Sequence, residues 1–126
     1  MSEWVGLIKP NGFECVQING QYEEYRDLVD GYLETVPTGI RRHLLVINEE
    51  GKLRGLPLNE IATVISGVLP FDVIVGNAVL VRLNSTGDDW CGWISRDECF
   101  RAFQAVFHAS FGRSVPSPQS SDGDGR

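Results

Sequence analysis

A chain of 126 residues, 42% of them apolar, has the length of one small domain and the material for one modest core. Its formal charge of −6 falls in residues 1–112, because residues 113–126 set Arg113 and Arg126 against Asp122 and Asp124; that balance works against nucleic acid as a partner, since phosphate backbones are gripped by Lys and Arg. No run approaches the roughly 18 apolar residues of a membrane span, and Met1–Gly6 has neither the basic start nor the apolar block of a signal peptide, so the expected compartment is the cytoplasm.

The first elements read as a hairpin. Residues 4–9 form a strand and 13–18 a second, with Asn11-Gly12 supplying the positive φ angles of a tight turn. In the second strand Phe13, Cys15 and Gln17 share one face and Glu14, Val16 and Ile18 the other; either could be buried. A helix is predicted over 21–33, capped by Asn19, with Tyr22, Tyr25, Leu28, Val29, Tyr32 and Leu33 at three- and four-residue spacing. Gly31 weakens its last turn and Pro37 forbids continuation.

Arg41–Asn48 reads as a strand whose Leu44-Leu45-Val46-Ile47 run is apolar on both faces, the pattern of a strand covered on each side or lying mid-sheet. Glu49–Lys52 turns the chain, with Gly51 in the strained position, and Leu53–Leu56 makes a short return piece ended by Pro57. Asn59 caps a short helix at 60–66. Residues 73–75 and 78–83 read as strand pieces parted at Gly76-Asn77. After a polar loop at 84–89, Ser95 and Glu98 form a capping box for a helix to about residue 110, with Cys99, Phe100, Phe103, Val106, Phe107 and Phe111 as its buried stripe and Gly112 as its stop. Residues 113–126, rich in Pro, Ser and Gly, are expected to be a disordered tail behind a single domain at 1–112. The fold class is α+β: a small mixed or mostly antiparallel sheet of four or five strands packed by two main helices.

The stretch Asn48-Glu49-Glu50-Gly51-Lys52-Leu53-Arg54-Gly55-Leu56-Pro57-Leu58-Asn59 resembles the hallmark block of a domain-of-unknown-function family found in bacteriophages, especially those of actinobacteria, and in plasmid or prophage regions. Ile8-Lys9-Pro10, Leu28–Glu34, Asp72–Gly76 and the last helix fit the same pattern, so the resemblance spans about 4–111. It departs around Ile61–Leu69 and Trp90–Trp93. It implies origin and fold and carries no catalytic residues.

Candidate binding residues come from two places. Asn48, Glu49, Lys52, Arg54 and Asn59 gather polar groups around a glycine-shaped loop that could receive a small ligand or partner peptide; in the structural reading the asparagines bond local backbone and the charges are solvated. Trp90 and Trp93, in Trp-Cys-Gly-Trp beside Asp88-Asp89, could stack on a nucleotide or anchor a protein, or close one end of the core. The acidic residues Glu23, Glu24, Asp27, Asp30 and Glu34 could mimic phosphate spacing or form an ordinary solvated face interrupted by Arg26. Cys15, Cys91 and Cys99 form no CxxC pair, and no zinc chelate is built into their spacing with His43 or His108. No nucleophile motif, phosphate loop or dinucleotide fingerprint occurs.

The expectation is a non-catalytic phage accessory protein, without cofactor or metal, that binds a host or phage protein. A small-molecule binder is the competing expectation: a pocket for a nucleotide signal, lined by Trp90, Trp93 and basic groups such as Lys52, Arg54 or Arg82.

Overall fold

The computed structural model describes residues 2–68 and 71–114. The predicted hairpin is present as β1 (Glu3–Lys9) and β2 (Gly12–Ile18), paired antiparallel from Glu3 opposite Ile18 to Lys9 opposite Gly12, but its turn falls at Pro10-Asn11 and neither Asn11 nor Gly12 takes the expected positive φ. Helix α1 (Tyr22–Val29) follows, then β3 (Leu33–Pro37), β4 (His43–Asn48), α2 (Glu60–Ser66), β5 (Ala78–Leu83), the two-residue β6 (Trp90–Cys91) and α3 (Arg96–Ser114). The strand order is β2-β1-β5-β4-β3, with β6 added to the end of β5, and every pairing is antiparallel. The α+β class holds, and the sheet is wholly antiparallel.

Both faces of this sheet are covered, which explains the unbroken apolar run of β4. On one face Tyr25 and Val29 of α1 pack on Val5, Leu7, Ile18, Val46, Val79 and Val81. On the other, Ala62 and Ile65 of α2 and Cys99 and Val106 of α3 pack on Ile8, Leu45, Ile47, Ala78 and Leu80. Alternation along each strand therefore feeds two apolar layers instead of one apolar and one wet face. Each fully buried Leu, Ile or Val is worth roughly 1.5–3 kcal/mol relative to exposure. In β2, Phe13 and Cys15 turn to the α3 side and Val16 and Ile18 to the α1 side.

Several expectations are corrected. Helix α1 is shorter than 21–33: it begins after Gln21, not Asn19, and ends at Asp30, which takes a left-handed conformation with φ 62°. Leu33 belongs to β3, an edge strand absent from the sequence reading, and Tyr22 and Tyr32 are exposed instead of sharing a buried stripe. The central strand is β5; β4 lies between β5 and the β3 edge. Residues 49–55 are a run of turns with no return strand, and 73–75 contribute only an isolated bridge between Leu58 and Val75. Gly51 has no positive φ. It is buried, and a Cβ there would meet Val75 at 2.9 Å, so close approach is what requires glycine. Helix α3 passes through Gly112 to Ser114, and Phe100 and Phe111 on it are half exposed. The rest of the expected tail lies outside the described residues.

The Asn59 cap and one bond of the expected Ser95–Glu98 capping box are present. The Asn59 side-chain oxygen accepts from the Ala62 N–H at 3.0 Å, and Ser95 Oγ accepts from the Glu98 N–H at 3.1 Å. Among the described residues no helix is long and apolar enough to cross a membrane.

Candidate functional site

The block from Asn48 to Asn59 begins and ends on a buried amide. Asn48 Nδ2 donates to the Val29 and Asp30 carbonyls at 3.1 and 2.9 Å, and its Oδ1 accepts from the Glu50 N–H at 2.7 Å. One side chain thus satisfies the exposed end of α1 and starts the turn run. Arg54 comes back to the same helix end: Nη2 pairs with Asp30 Oδ2 at 2.9 Å and Nη1 donates to the Asp30 carbonyl. At the other end of the block Asn59 is fully buried, and Nδ2 donates to the Ile8 and Gly76 carbonyls at 2.9 and 2.8 Å. Asn48 and Asn59 therefore hold the scaffold together, and their polar groups are spent on backbone partners.

What the block presents outward is different. Lys52 pairs with Asp72 across the surface, and that hydrogen bond, with a second from the Val73 N–H, holds the Asp72 carboxyl below its ordinary range. Beside this pair Leu53 is 89% exposed and Phe71 93% exposed, with Leu58 and Val73 partly so. A shallow cleft of about 140 Å³ runs past Lys52, Leu53, Asp72 and Val73 to Glu34 and Val36 of β3. Glu49 is exposed at the rim and donates its N–H to the Tyr32 carbonyl at 2.8 Å.

The two tryptophans are parted by the sheet. Trp93 is buried on the α3 side, its backbone exchanging two 2.8 Å hydrogen bonds with Trp4. The Arg82 guanidinium lies 5.4 Å from the Trp93 ring centre while its Nε donates to the Gly92 carbonyl at 2.9 Å. Trp90 packs on the α1 side, edge-on to Tyr25 with ring centres 5.1 Å apart. No single pocket is formed by Trp90 and Trp93 with Lys52, Arg54 or Arg82: Lys52 and Arg54 are engaged by Asp72 and Asp30 at the far end of β5 from Trp90. The structure brings together Asn48, Glu49, Lys52 and Arg54, and separates them from the tryptophans.

The acidic residues of α1 do not act as a uniform face either. Glu24 reaches back to the Asn19 and Gln21 N–H groups, Asp30 pairs with Arg54, and Glu34 lies on β3. Among the described residues no group of three or more His, Cys, Asp or Glu side chains is placed to hold a metal ion. Sequence reasoning does not mention Phe71, and it places Asp72 and Val73 in the late-strand pattern, not on a candidate site. Leu53, an apolar side chain inside a polar turn, was the one local sign that the block carries an outward face.

A family model described as a domain of unknown function (DUF3846) matches residues 2–105. No curated protein and no solved structure matches the chain.

Proposed function

The chain belongs to the domain-of-unknown-function family DUF3846, and from that premise we propose that it is a non-catalytic accessory protein of a phage or mobile element that binds a host or phage protein in the bacterial cytoplasm. The proposed origin rests on the Asn48–Asn59 block and its resemblance to phage sequences. The observation that carries the binding role is the exposure of Leu53 (89%) and Phe71 (93%), each next in sequence to one partner of the Lys52–Asp72 ion pair. Large apolar side chains left in water are costly where the backbone beneath them is tied down, and burying each against a partner returns roughly 1.5–3 kcal/mol. Exposed Glu49, Glu50, Lys52 and Asp72 around them give the mixed charged rim of a protein interface. The same acids disfavour a phosphate backbone on this surface.

Binding of a nucleotide signal has less support. Lys52, Arg54 and Arg82, the cations that would hold phosphates, are each engaged by a protein acceptor.

The test compares the tagged full chain with the double variant Leu53→Glu/Phe71→Glu, after equal thermal stability of the two is established. The expected result is a host or phage protein recovered in stoichiometric amount by the unaltered chain, binding again once purified, and weakened about tenfold or more by the double variant. Equal recovery by both chains, or no stoichiometric partner under several conditions, overturns the reading.

A further inference from the structure

At the opposite end of β5 from the Lys52–Asp72 pair, a second cleft of about 470 Å³ opens between the start of α1 and the 84–90 loop. Its walls include Tyr22, Tyr25, Leu83, Asp88, Asp89 and Trp90, with no Lys or Arg among the lining residues. We propose that this cleft binds an organic cation, a guanidinium or alkylammonium group, held by the rings of Tyr22, Tyr25 and Trp90 and the carboxylates of Asp88 and Asp89.

Three observations carry this. The first is the aromatic geometry. Tyr25 and Trp90 meet edge to face, at an interplanar angle of 79°, and Tyr22 stands half exposed at the lip. The aromatic surface left at the walls of the hollow comes from Tyr22 and Trp90, with Tyr25 buried against Trp90, and such surface attracts a cation. Elsewhere the protein's own arginines already occupy such positions, with Arg26 over Tyr32, Arg82 over Trp93 and Arg96 over Trp4. The Trp90 ring is met by Tyr25 instead.

The second is an unpartnered hydroxyl. Tyr25 is only 3% exposed, and its phenolic oxygen has no hydrogen-bond partner among the described residues. A buried hydroxyl left so is rare in a folded protein, and this one belongs to a side chain that lines the cleft. Burial above all, and then the nearby Glu3 and Asp89 charges, push its pKa upward, so the group stays a neutral phenol able to accept from a cationic N–H.

The third is the construction of the acidic wall. Asn84 Oδ1 accepts from the Gly87 and Asp88 N–H groups at 2.9 and 3.2 Å, while Asp88 Oδ1 accepts from Thr86 Oγ1 at 2.6 Å and Asn84 Nδ2 at 3.1 Å. Those side-chain donors hold the Asp88 carboxyl below its ordinary range, so it stays charged. Asp89 is fixed by accepting from the Trp90 N–H at 2.8 Å. A fixed pair of carboxylates beside aromatic faces selects positive charge and rejects phosphate.

The inference is independent of the partner surface and can fail without it. The test titrates the purified full chain with agmatine, with tetramethylammonium and with a blocked peptide bearing one arginine, following backbone amide NMR shifts. Neutral 3,3-dimethyl-1-butanol and AMP serve as controls. Saturable shifts centred on residues 22–25 and 83–90 are expected with the cations, with the neutral isostere about tenfold weaker or worse. Tyr25→Phe, which keeps the ring, and Asp89→Asn should each weaken the cation without lowering the melting temperature. Tighter binding of the peptide identifies the source as a protein side chain, and tighter binding of agmatine identifies it as a free amine; either supports the site. Equal binding of the alcohol, shifts centred elsewhere, or no saturable response up to about 20 mM of any cation overturns it.

Discussion

Asn59 donates from its side-chain amide to the carbonyl of Ile8, 51 residues earlier, at 2.9 Å in a fully buried setting. The same amide nitrogen reaches Gly76, and the oxygen caps α2. One residue thus joins the end of β1, the approach to β5 and the helix between them. Asn59→Ala removes three buried hydrogen bonds, two to carbonyls and one from an N–H, and is expected to cost about 3–5 kcal/mol. Lys52→Ala, which removes an exposed ion pair, should cost under about 1 kcal/mol. Urea unfolding midpoints measured side by side check the contrast; similar losses would mean the buried amide is not the junction described.

A second contrast separates two glycines. The chain at Gly92 crosses so close to β1 that an added Cβ would lie 2.2 Å from the Trp4 carbonyl oxygen, whereas at Gly12 nothing lies within 4 Å. Gly92→Ala must therefore push apart the Trp4–Trp93 bridge, a loss of about 3 kcal/mol or more. Gly12→Ala should be neutral to within about 1 kcal/mol, since alanine also restricts the unfolded chain. Thermal melts of the two variants decide it, and a stable Gly92→Ala protein would contradict the packing at this crossing.

The parts of the fold legible in sequence are those settled by neighbours in the chain. The Asn59 and Ser95 caps fall where short-range chemistry puts them, and the Leu44–Ile47 run correctly signals a strand covered on both faces. The end of α1 is not legible in the sequence because its stop is made at long range: Asn48 and Arg54 bond the carbonyls around Asp30, and Leu33 is then free to start β3. Helical spacing had absorbed Leu33 into α1, since a five-residue edge strand has too little alternation to compete. The polar residues of the block were recognised as loop-forming, but their partners, Val29 and Ile8, lie on other elements. Exposure of Leu53 and Phe71, and the lone hydroxyl of Tyr25, are properties of tertiary packing with no signature in the linear pattern.

The Tyr25 hydroxyl yields a stability prediction of its own. Because the oxygen is buried without a partner among the described residues, Tyr25→Phe removes a desolvated polar group and keeps the ring against Trp90. The variant should be as stable as the parent or more stable, by up to about 1 kcal/mol. Denaturant unfolding checks this. A loss above that size would show that the hydroxyl has a partner in solution, such as a bound water, and would remove one support of the cation site.

Acid sensitivity should centre in part on Glu24. Its carboxylate accepts from the Asn19 N–H at 3.1 and 3.0 Å and from the Gln21 N–H at 2.8 Å, tying the turn before α1 to the helix. Those backbone donors, Asn19 first, hold its carboxyl below the ordinary range in the folded protein. A carboxyl depressed on folding contributes stability that is complete above its unfolded pKa, near about 4.3, and is lost as pH falls through the lower folded value. Glu24→Gln can still accept one of these bonds but carries no charge to lose. The variant should be less stable than the parent at pH 7, and the gap should narrow progressively as pH drops below about 4. Asp72 and Asp88 shift in the same direction, so both proteins weaken in acid, and only the difference between their curves reports on Glu24. Stability curves that run parallel down to about pH 2.5 would show that the charge on Glu24 adds nothing to the start of α1.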